Sequence, residues 1–315
     1  MKTLRWLIST ILLSIVGYIG VFWLCCSVEY NNRPLVYLWS DYYAPNGGPT
    51  HLKSMEWNSY CEKYTHWDAV VLGASRAERG YDPLVFSKCG KQIFNFGTSA
   101  QSMQNTHILV DQILSGACTT DEIWIDIFPA SFKDDALESS ADLIQNIGFV
   151  EAPWWIAKEN RDFRMVNLLL KRFFCANKSV DLGKAQYQFN GYVSVDQPLP
   201  IELKKQAATF QGYQGSDLEI GSKSLSALKA IIENCEKHKV KCRLIISPVS
   251  IFASKLELDR MLSAIDSIVK AHQVSLINLS QQDNIETTLH FYDEKHLNKQ
   301  GVLLFNGALL EKLDR

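Results

Sequence analysis

Hydrophobic positions along this chain fall into two regimes. The first is one unbroken run, residues 6–28, without a charged side chain. The second begins at residue 68, where short apolar stretches of strand length alternate with longer amphipathic ones. Residues 68–72 are rich in Val and run into Gly73, Ala74 and Ser75, which predicts a buried strand ending in a tight turn. Residues 92–96 predict a second strand closed by Gly97. Thr98, Ser99 and Ser102 then offer helix caps for a segment reaching about Leu114. Residues 122–128 predict a third strand, stopped by Pro129. Regular alternation resumes with a helix over 224–238, apolar at Leu225, Leu228, Ile231 and Ile232. A fourth strand over 243–246, a helix over 256–272, a fifth strand over 274–279 and a closing helix over 298–313 complete the pattern. Five strands alternating with helices predict an α/β fold, a mainly parallel sheet with helices on both faces.

Two segments break the pattern. Residues 29–66 hold Pro34, Pro45, Gly47, Gly48 and Pro49 among aromatics and predict an irregular membrane-proximal linker. Residues 131–221 predict helices around Pro153, Trp154, Trp155 and Leu168, with loops at Gly191, Pro198, Pro200, Gly212 and Gly215. That stretch reads as an insertion covering one rim of the sheet and shaping a substrate site. The chain divides into an anchor (1–28), a linker (29–66) and an α/β domain (67–315) carrying the insertion 131–221. There is no internal repeat.

The first run is long enough to cross a membrane, since about 20 apolar helical residues span a ~30 Å hydrocarbon core. Lys2 and Arg5 precede it and Glu29 is the first charge after it. The positive-inside rule then predicts a single-pass protein of the cytoplasmic (inner) membrane with its C-terminal domain periplasmic or extracytoplasmic. A cleavable signal peptide is the rival, but Phe22, Trp23 and Leu24 before Cys25 offer no small-x-small site and no lipoprotein signal. The 315 residues carry a net charge of −2 and a pI near 6.4, so no basic footprint for nucleic acid is present. Beyond the anchor lie Cys61, Cys89, Cys118, Cys175, Cys235 and Cys242, an even number that suits an oxidising compartment. Cys89 with Cys118 and Cys235 with Cys242 are the attractive pairings; buried free thiols are the alternative. No cysteine has zinc-site spacing, and neither metal nor cofactor is expected.

In a parallel sheet, chemistry gathers at the carboxyl ends of the strands. Ser75 follows strand one, Gly97 follows strand two, and Asp293 and His296 occupy the loop after strand five. A serine nucleophile needs a base, a histidine base needs a carboxylate to fix its tautomer, and the oxyanion needs fixed donors. Asp293 and His296, three apart, suit one turn. Backbone N–H groups of Ser75 and Gly97 are the expected oxyanion donors. Arg76 and Asn95 are assigned to substrate binding, Arg76 for an anionic polymer; a surface ion pair and a plain turn are the alternatives. His290 is a rival base without a carboxylate three residues before it. Trp154 and Trp155 suit sugar stacking, a core role or a membrane interface equally.

These motifs, Gly73-Ala74-Ser75-Arg76, Asn95-Phe96-Gly97 and Asp293-x-x-His296-Leu297-Asn298 before Gly301, resemble the SGNH/GDSL hydrolase-like superfamily. The resemblance is greatest to membrane-anchored extracytoplasmic members, such as D-alanyl-lipoteichoic acid transfer proteins and polysaccharide O-acyltransferases. It implies a flavodoxin-like three-layer α/β/α domain and ester hydrolysis or acyl transfer through an acyl-serine. By position Ser75 matches the nucleophile, Gly97 the second oxyanion donor, and Asp293 and His296 the remaining triad members. The family's Gly-x-Asn-Asp block after strand three is absent; the chain reads Ile125-Asp126-Ile127-Phe128-Pro129 there. The expected protein is an anchored serine esterase or O-acyltransferase on an acylated envelope glycan or a small acyl ester. Its expected partners are the membrane and an envelope membrane protein. A catalytically inactive scaffold of the same fold is the alternative. A dinucleotide-binding unit fits poorly, because Gly73 opens no Gly-x-Gly-x-x-Gly.

Overall fold

The computed structural model of the chain describes residues 1–38, 46–63, 65–175, 180–181, 187–212 and 218–313. Pro45 and Gly215, read above as loop markers, lie outside them. Helix α1 (Lys2–Ser27) is 26 residues long and apolar enough to cross a membrane; only Phe22 and Cys26 on it are buried. Helix α2 (Gly48–Cys61) follows, then strand β1 (His66–Gly73), helices α3 (Ser75–Gly80) and α4 (Pro83–Ser87), strand β2 (Ile93–Asn95) and helix α5 (Met103–Leu114). Strand β3 (Thr119–Asp126) leads into four helices, α6 (Leu137–Asn146), α7 (Ala152–Asn160), α8 (Phe163–Cys175) and α9 (Ile201–Thr209). The α/β rhythm then returns as α10 (Ser222–His238), β4 (Lys241–Ile246), α11 (Lys255–Ala271), β5 (Ser275–Asn278), α12 (Thr287–His290) and α13 (Lys299–Leu313).

The five strands form one parallel sheet in the order β2-β1-β3-β4-β5, the doubly wound flavodoxin-like order. Period-two alternation divides each strand between two cores. Val70 and Leu72 of β1 and Ile123 and Ile125 of β3 face the larger core, with Leu109, Leu228 and Ile265 from α5, α10 and α11. Ala69 and Val71, with Trp124 and Ile245, face the smaller one, against Phe305 and Leu309 of α13. The sheet is therefore covered on both faces, as the strand pattern predicts.

The linker expected to be irregular contains α2, and the reason is chemical. Its inward positions are Thr50, Lys53, Ser54 and Trp57, so a mostly polar face is buried and no apolar stripe announces a helix. The cysteine pairing also differs from expectation. Cys61, at the end of α2, is bonded to Cys118 just before β3, with Cα atoms 4.7 Å apart. Cys89 is exposed and free, while Cys235 and Cys242 are buried as thiols. Cys118 meets α2 rather than β2 because α2 closes over the amino ends of β1 and β3, where His66 pairs with Thr119.

Candidate active site

The crevice of a doubly wound sheet opens where strand order reverses, here between β1 and its neighbours. Gly73 ends β1 in a backbone (φ +142) that side chains avoid, and a Cβ there would sit 2.7 Å from the Asp126 carbonyl oxygen. Glycine thus lets β1 turn sharply beside β3, and the first residue of α3 beyond the turn is Ser75.

The loop after α12 delivers the partners. Ser75 Oγ lies 2.7 Å from His296 Nε2, across 221 residues of sequence. His296 Nδ1 is 2.7 Å from Asp293 Oδ2 and 3.0 Å from Oδ1. Asp293 Oδ1 also accepts from the backbone N–H groups of Lys295 and His296, each at 2.8 Å. One carboxylate therefore shapes the loop and orients the imidazole. Burial pushes the Asp293 carboxyl up, but the His296 hydrogen bond and charge and the two N–H donors outweigh it and hold it below the usual range. An ionised Asp293 only accepts, so Nδ1 carries the ring proton and Nε2 is left to accept from Ser75. The loop is pinned by an antiparallel bridge between Phe291 and Leu297 and by the Tyr292 ring, stacked on His296 at 5.6 Å.

Four residues that motif reading does not reach support this arrangement. Arg79 Nη1 donates to the Tyr292 hydroxyl at 3.0 Å, and Arg79 Nε is 3.7 Å from Glu78. Glu78 is paired with Lys53 of α2 at 3.2 Å, both almost wholly buried. Lys53 Nζ donates as well to the Gly97 carbonyl. Burial pulls the Lys53 ammonium down while Glu78 opposes the shift. A chain of contacts thus runs from α2 through α3 to the ring stacked on the candidate base. Tyr292, adjacent to Asp293, was the one member with a sequence signal.

Three expected roles are corrected. Gly97 N–H donates to Asn95 Oδ1 at 3.0 Å and is committed, so it is not an oxyanion donor. Gly97 is required instead for close packing, since a Cβ there would lie 2.5 Å from the Glu78 nitrogen. Asn95 is fully buried and its amide donates to the carbonyls of Ala77 and Tyr81, so it staples β2 to α3 and touches no substrate. Arg76 is neither a substrate guide nor a surface ion pair. It is buried, its guanidinium lies over Phe128 at 4.5 Å, and it donates to Ser247, Pro248 and the Lys295 carbonyl. It straps the turn after β1 to the end of β4 and to the residue beside His296. His290, the rival base, is buried and its Nδ1 accepts from the Glu286 N–H at 2.8 Å.

Among the described residues, nothing accepts from the N–H groups of Ser75, Ser99 or Ala100. Ala100 has a left-handed backbone (φ 50). The loop carrying it is stitched to Gly73 by the Thr98 N–H, at 3.1 Å, and by Gln101 Oε1, at 2.9 Å. A small cavity of about 10 Å³ lies against His296, lined by Arg76, Arg79, Gly80 and Ser247. A larger cleft of about 600 Å³ opens farther along the carboxyl edge, between Phe128, Pro248, Ile251 and Ala207 of α9.

No family model and no curated protein matches the chain. Solved structures similar to it include a Streptococcus pneumonia protein provisionally described as a platelet activating factor. That chain is 13% identical, with 82% of this chain and 93% of that one covered and a TM-score of 0.41. A GDSL-like lipase from Bacteroides thetaiotaomicron is 11% identical, covering 84% and 99%, with a TM-score of 0.39. The psychrotrophic esterase EstA from Pseudoalteromonas, in a structure inhibited by monoethylphosphonate, is 10% identical, covering 78% and 97%, with a TM-score of 0.36. Likeness this loose assigns no activity to the chain.

Proposed function

We propose that this protein is a membrane-anchored, extracytoplasmic serine esterase or O-acyltransferase acting on an acylated cell-envelope polysaccharide or related polymer. The observation that carries the reading is the Ser75–His296–Asp293 relay at 2.7 Å and 2.7 Å. In the proposed cycle Ser75 Oγ bonds to the acyl carbon and its proton passes to His296 Nε2. The tetrahedral intermediate collapses, the acyl–oxygen bond breaks, and the departing alcohol takes the proton from His296. Water or an acceptor hydroxyl then attacks the acyl-serine, giving its proton to His296 Nε2; the Ser75 Oγ–acyl bond breaks and His296 returns the proton to Oγ. The oxyanion is held by the Ser75 N–H and, in place of Gly97, by the N–H groups of Ser99 and Ala100. Lys2 and Arg5 in the first turns of α1 support the orientation with the domain outside the cytoplasm. No nucleic acid or cofactor enters the reading; a membrane protein of the envelope is the partner proposed for acyl supply.

A non-catalytic scaffold of the same fold is the second reading. The Gly-x-Asn-Asp block of the resembled family is absent after β3, where Phe128 is packed under Arg76, and a missing donor costs ~10²–10³ in rate. The experiment that separates them is turnover of p-nitrophenyl acetate by the full chain in detergent. Esterase activity abolished by Ser75→Ala supports the first reading; activity unaffected by that change refutes it.

A further inference from the structure

A cleft of about 620 Å³ between α5, α7 and α10 plays no part in the chemistry above. It lies over the larger core, and its buried lining is small or apolar: Ile108, Ala136 and Ala227. Alanine at these positions and at 230 leaves open a space that longer side chains would fill. The one aromatic ring in the lining is Trp155 of α7, 45% exposed, with the Lys158 ammonium 4.7 Å over one side of it.

The rest of the lining is polar. The Asp134 carboxylate is occupied by the Ser224 N–H and the Gln104 amide, each at 3.0 Å. Asp111 takes the Asn234 amide and is 3.5 Å from His107 Nε2. The side chains of Gln112, Glu159 and Ser222, from α5, α7 and α10, have no hydrogen-bond partner among the described residues.

These groups select an occupant by chemistry. Asp111, Asp134 and Glu159 outnumber Lys223, so a polyanion is repelled. One isoleucine and a few alanines give an acyl chain little surface to bury. An uncharged sugar ring suits both parts of the lining. Its C–H face packs on the indole, and its hydroxyls donate to Glu159 and exchange hydrogen bonds with the Gln112 amide.

The direction of the cleft agrees. Helix α5 starts at the carboxyl edge of the sheet, after β2, and α10 starts at the same edge, before β4. Gln104 and Ser222 therefore mark the end of the cleft nearest the serine. From Gln104 to Gln112 it follows α5 for about 12 Å at 1.5 Å per residue. Gln104 lies four residues past Ala100, so no more than about 14 Å separates the cleft from that N–H.

We propose that this cleft binds a segment of an uncharged glycan chain, with Trp155 as its stacking surface and Gln112 and Glu159 as its hydroxyl partners. The chain lies along α5 and reaches the carboxyl edge beside Ser99 and Ala100. Delivery of an ester to Ser75 by this route rests on the acyl-glycan function proposed above, whereas the binding itself needs no Ser75.

Calorimetric titration tests it. The full chain carrying Ser75→Ala, in a detergent without a sugar head group, is titrated with cellohexaose, xylohexaose, maltohexaose and N-acetylchitohexaose. The expected result is binding of at least one of the four, weakened roughly tenfold or more by Trp155→Ala and largely recovered in Trp155→Phe. Gln112→Ala, on the opposite helix, should also weaken it. Trp154→Ala should not, because Trp154 lines a separate cavity beside α2. Circular dichroism shows each variant folded. Binding of none of the four overturns the proposal, and so does binding that survives both Trp155→Ala and Gln112→Ala. Esterase activity in the Ser75-bearing chain without glycan binding overturns the cleft and leaves the proposed reaction standing; glycan binding in a chain without esterase activity does the reverse.

Discussion

Replacing Asp293 by Asn tests the proposed relay at the point where two effects separate. The asparagine carbonyl oxygen still accepts from the Lys295 and His296 N–H groups, so the loop keeps its shape. Two things are lost. The first is a charge-assisted hydrogen bond to an imidazolium, about 1.5–3 kcal/mol. At ~1.36 kcal/mol per decade that is roughly 10- to 150-fold in rate. The second is the tautomer. An amide N–H turned toward Nδ1 forces the ring proton onto Nε2, and Ser75 Oγ then faces a donor in place of an acceptor at 2.7 Å. Tautomer loss in such triads reaches ~10⁴. The Asp293 side chain is 38% exposed, so water moderates the charge effect and little of the tautomer effect. The expected fall in kcat/KM is about 10²- to 10⁴-fold, carried mainly by kcat. It is read with p-nitrophenyl acetate on the full chain, with circular dichroism to show the fold retained. Activity within about threefold of the parent would refute the relay, since threefold is less than the weakest charge-assisted hydrogen bond, worth about tenfold.

Three further outcomes follow from the surroundings of the site. Lys53→Met leaves Glu78 buried with only Arg79, 3.7 Å away, to balance it and should cost about 1–3 kcal/mol in thermal or denaturant unfolding, while Lys53→Met with Glu78→Met should recover most of it; an unchanged single variant would remove the pair from the account. Gly97→Ala forces a Cβ to 2.5 Å from backbone, which cannot swing aside, and should destabilise by about 1–3 kcal/mol or more; a melting temperature equal to the parent's would contradict the packing. Glu122 is held below its ordinary carboxylate value, because Arg243 and the Trp124 N–H outweigh the upward push of burial, and Asp293 is likewise held low. Their stabilisation is complete above about pH 5 and is lost as pH falls through the lower folded values, so melting temperature should fall below about pH 4. Glu122→Gln should flatten that acid limb, and an unchanged limb would show that this carboxylate does not set it.

What the sequence makes legible follows from how locally each feature is encoded. The five strands centre on short apolar runs, and their boundaries move by only a few residues in the structure. Ser75, Asp293 and His296 are legible because each sits just past a strand or in a loop where chain order alone sends it to one edge of the sheet. Helix α2 is not, since its buried face holds Lys53, and the partner that justifies burying it, Glu78, comes from the fold. The Cys61–Cys118 bond follows from the same omission, because a linker without a helix gives Cys61 no fixed place. Gly97 and Arg76 fail for a different reason. A backbone N–H and a guanidinium look alike in sequence whether they face a substrate or a neighbouring residue. Here Asn95 Oδ1 occupies the first, and Ser247, Pro248 and Lys295 occupy the second.

The most direct measurement is covalent labelling with a fluorophosphonate, followed by mass spectrometry of the labelled peptide. A serine activated by His296 and Asp293 should displace fluoride and carry the phosphonyl adduct on Ser75 alone. Labelling should be lost in Ser75→Ala and strongly reduced in His296→Ala. A chain that hydrolyses esters yet takes the label on another residue, or labels equally well without the imidazole, would contradict the account.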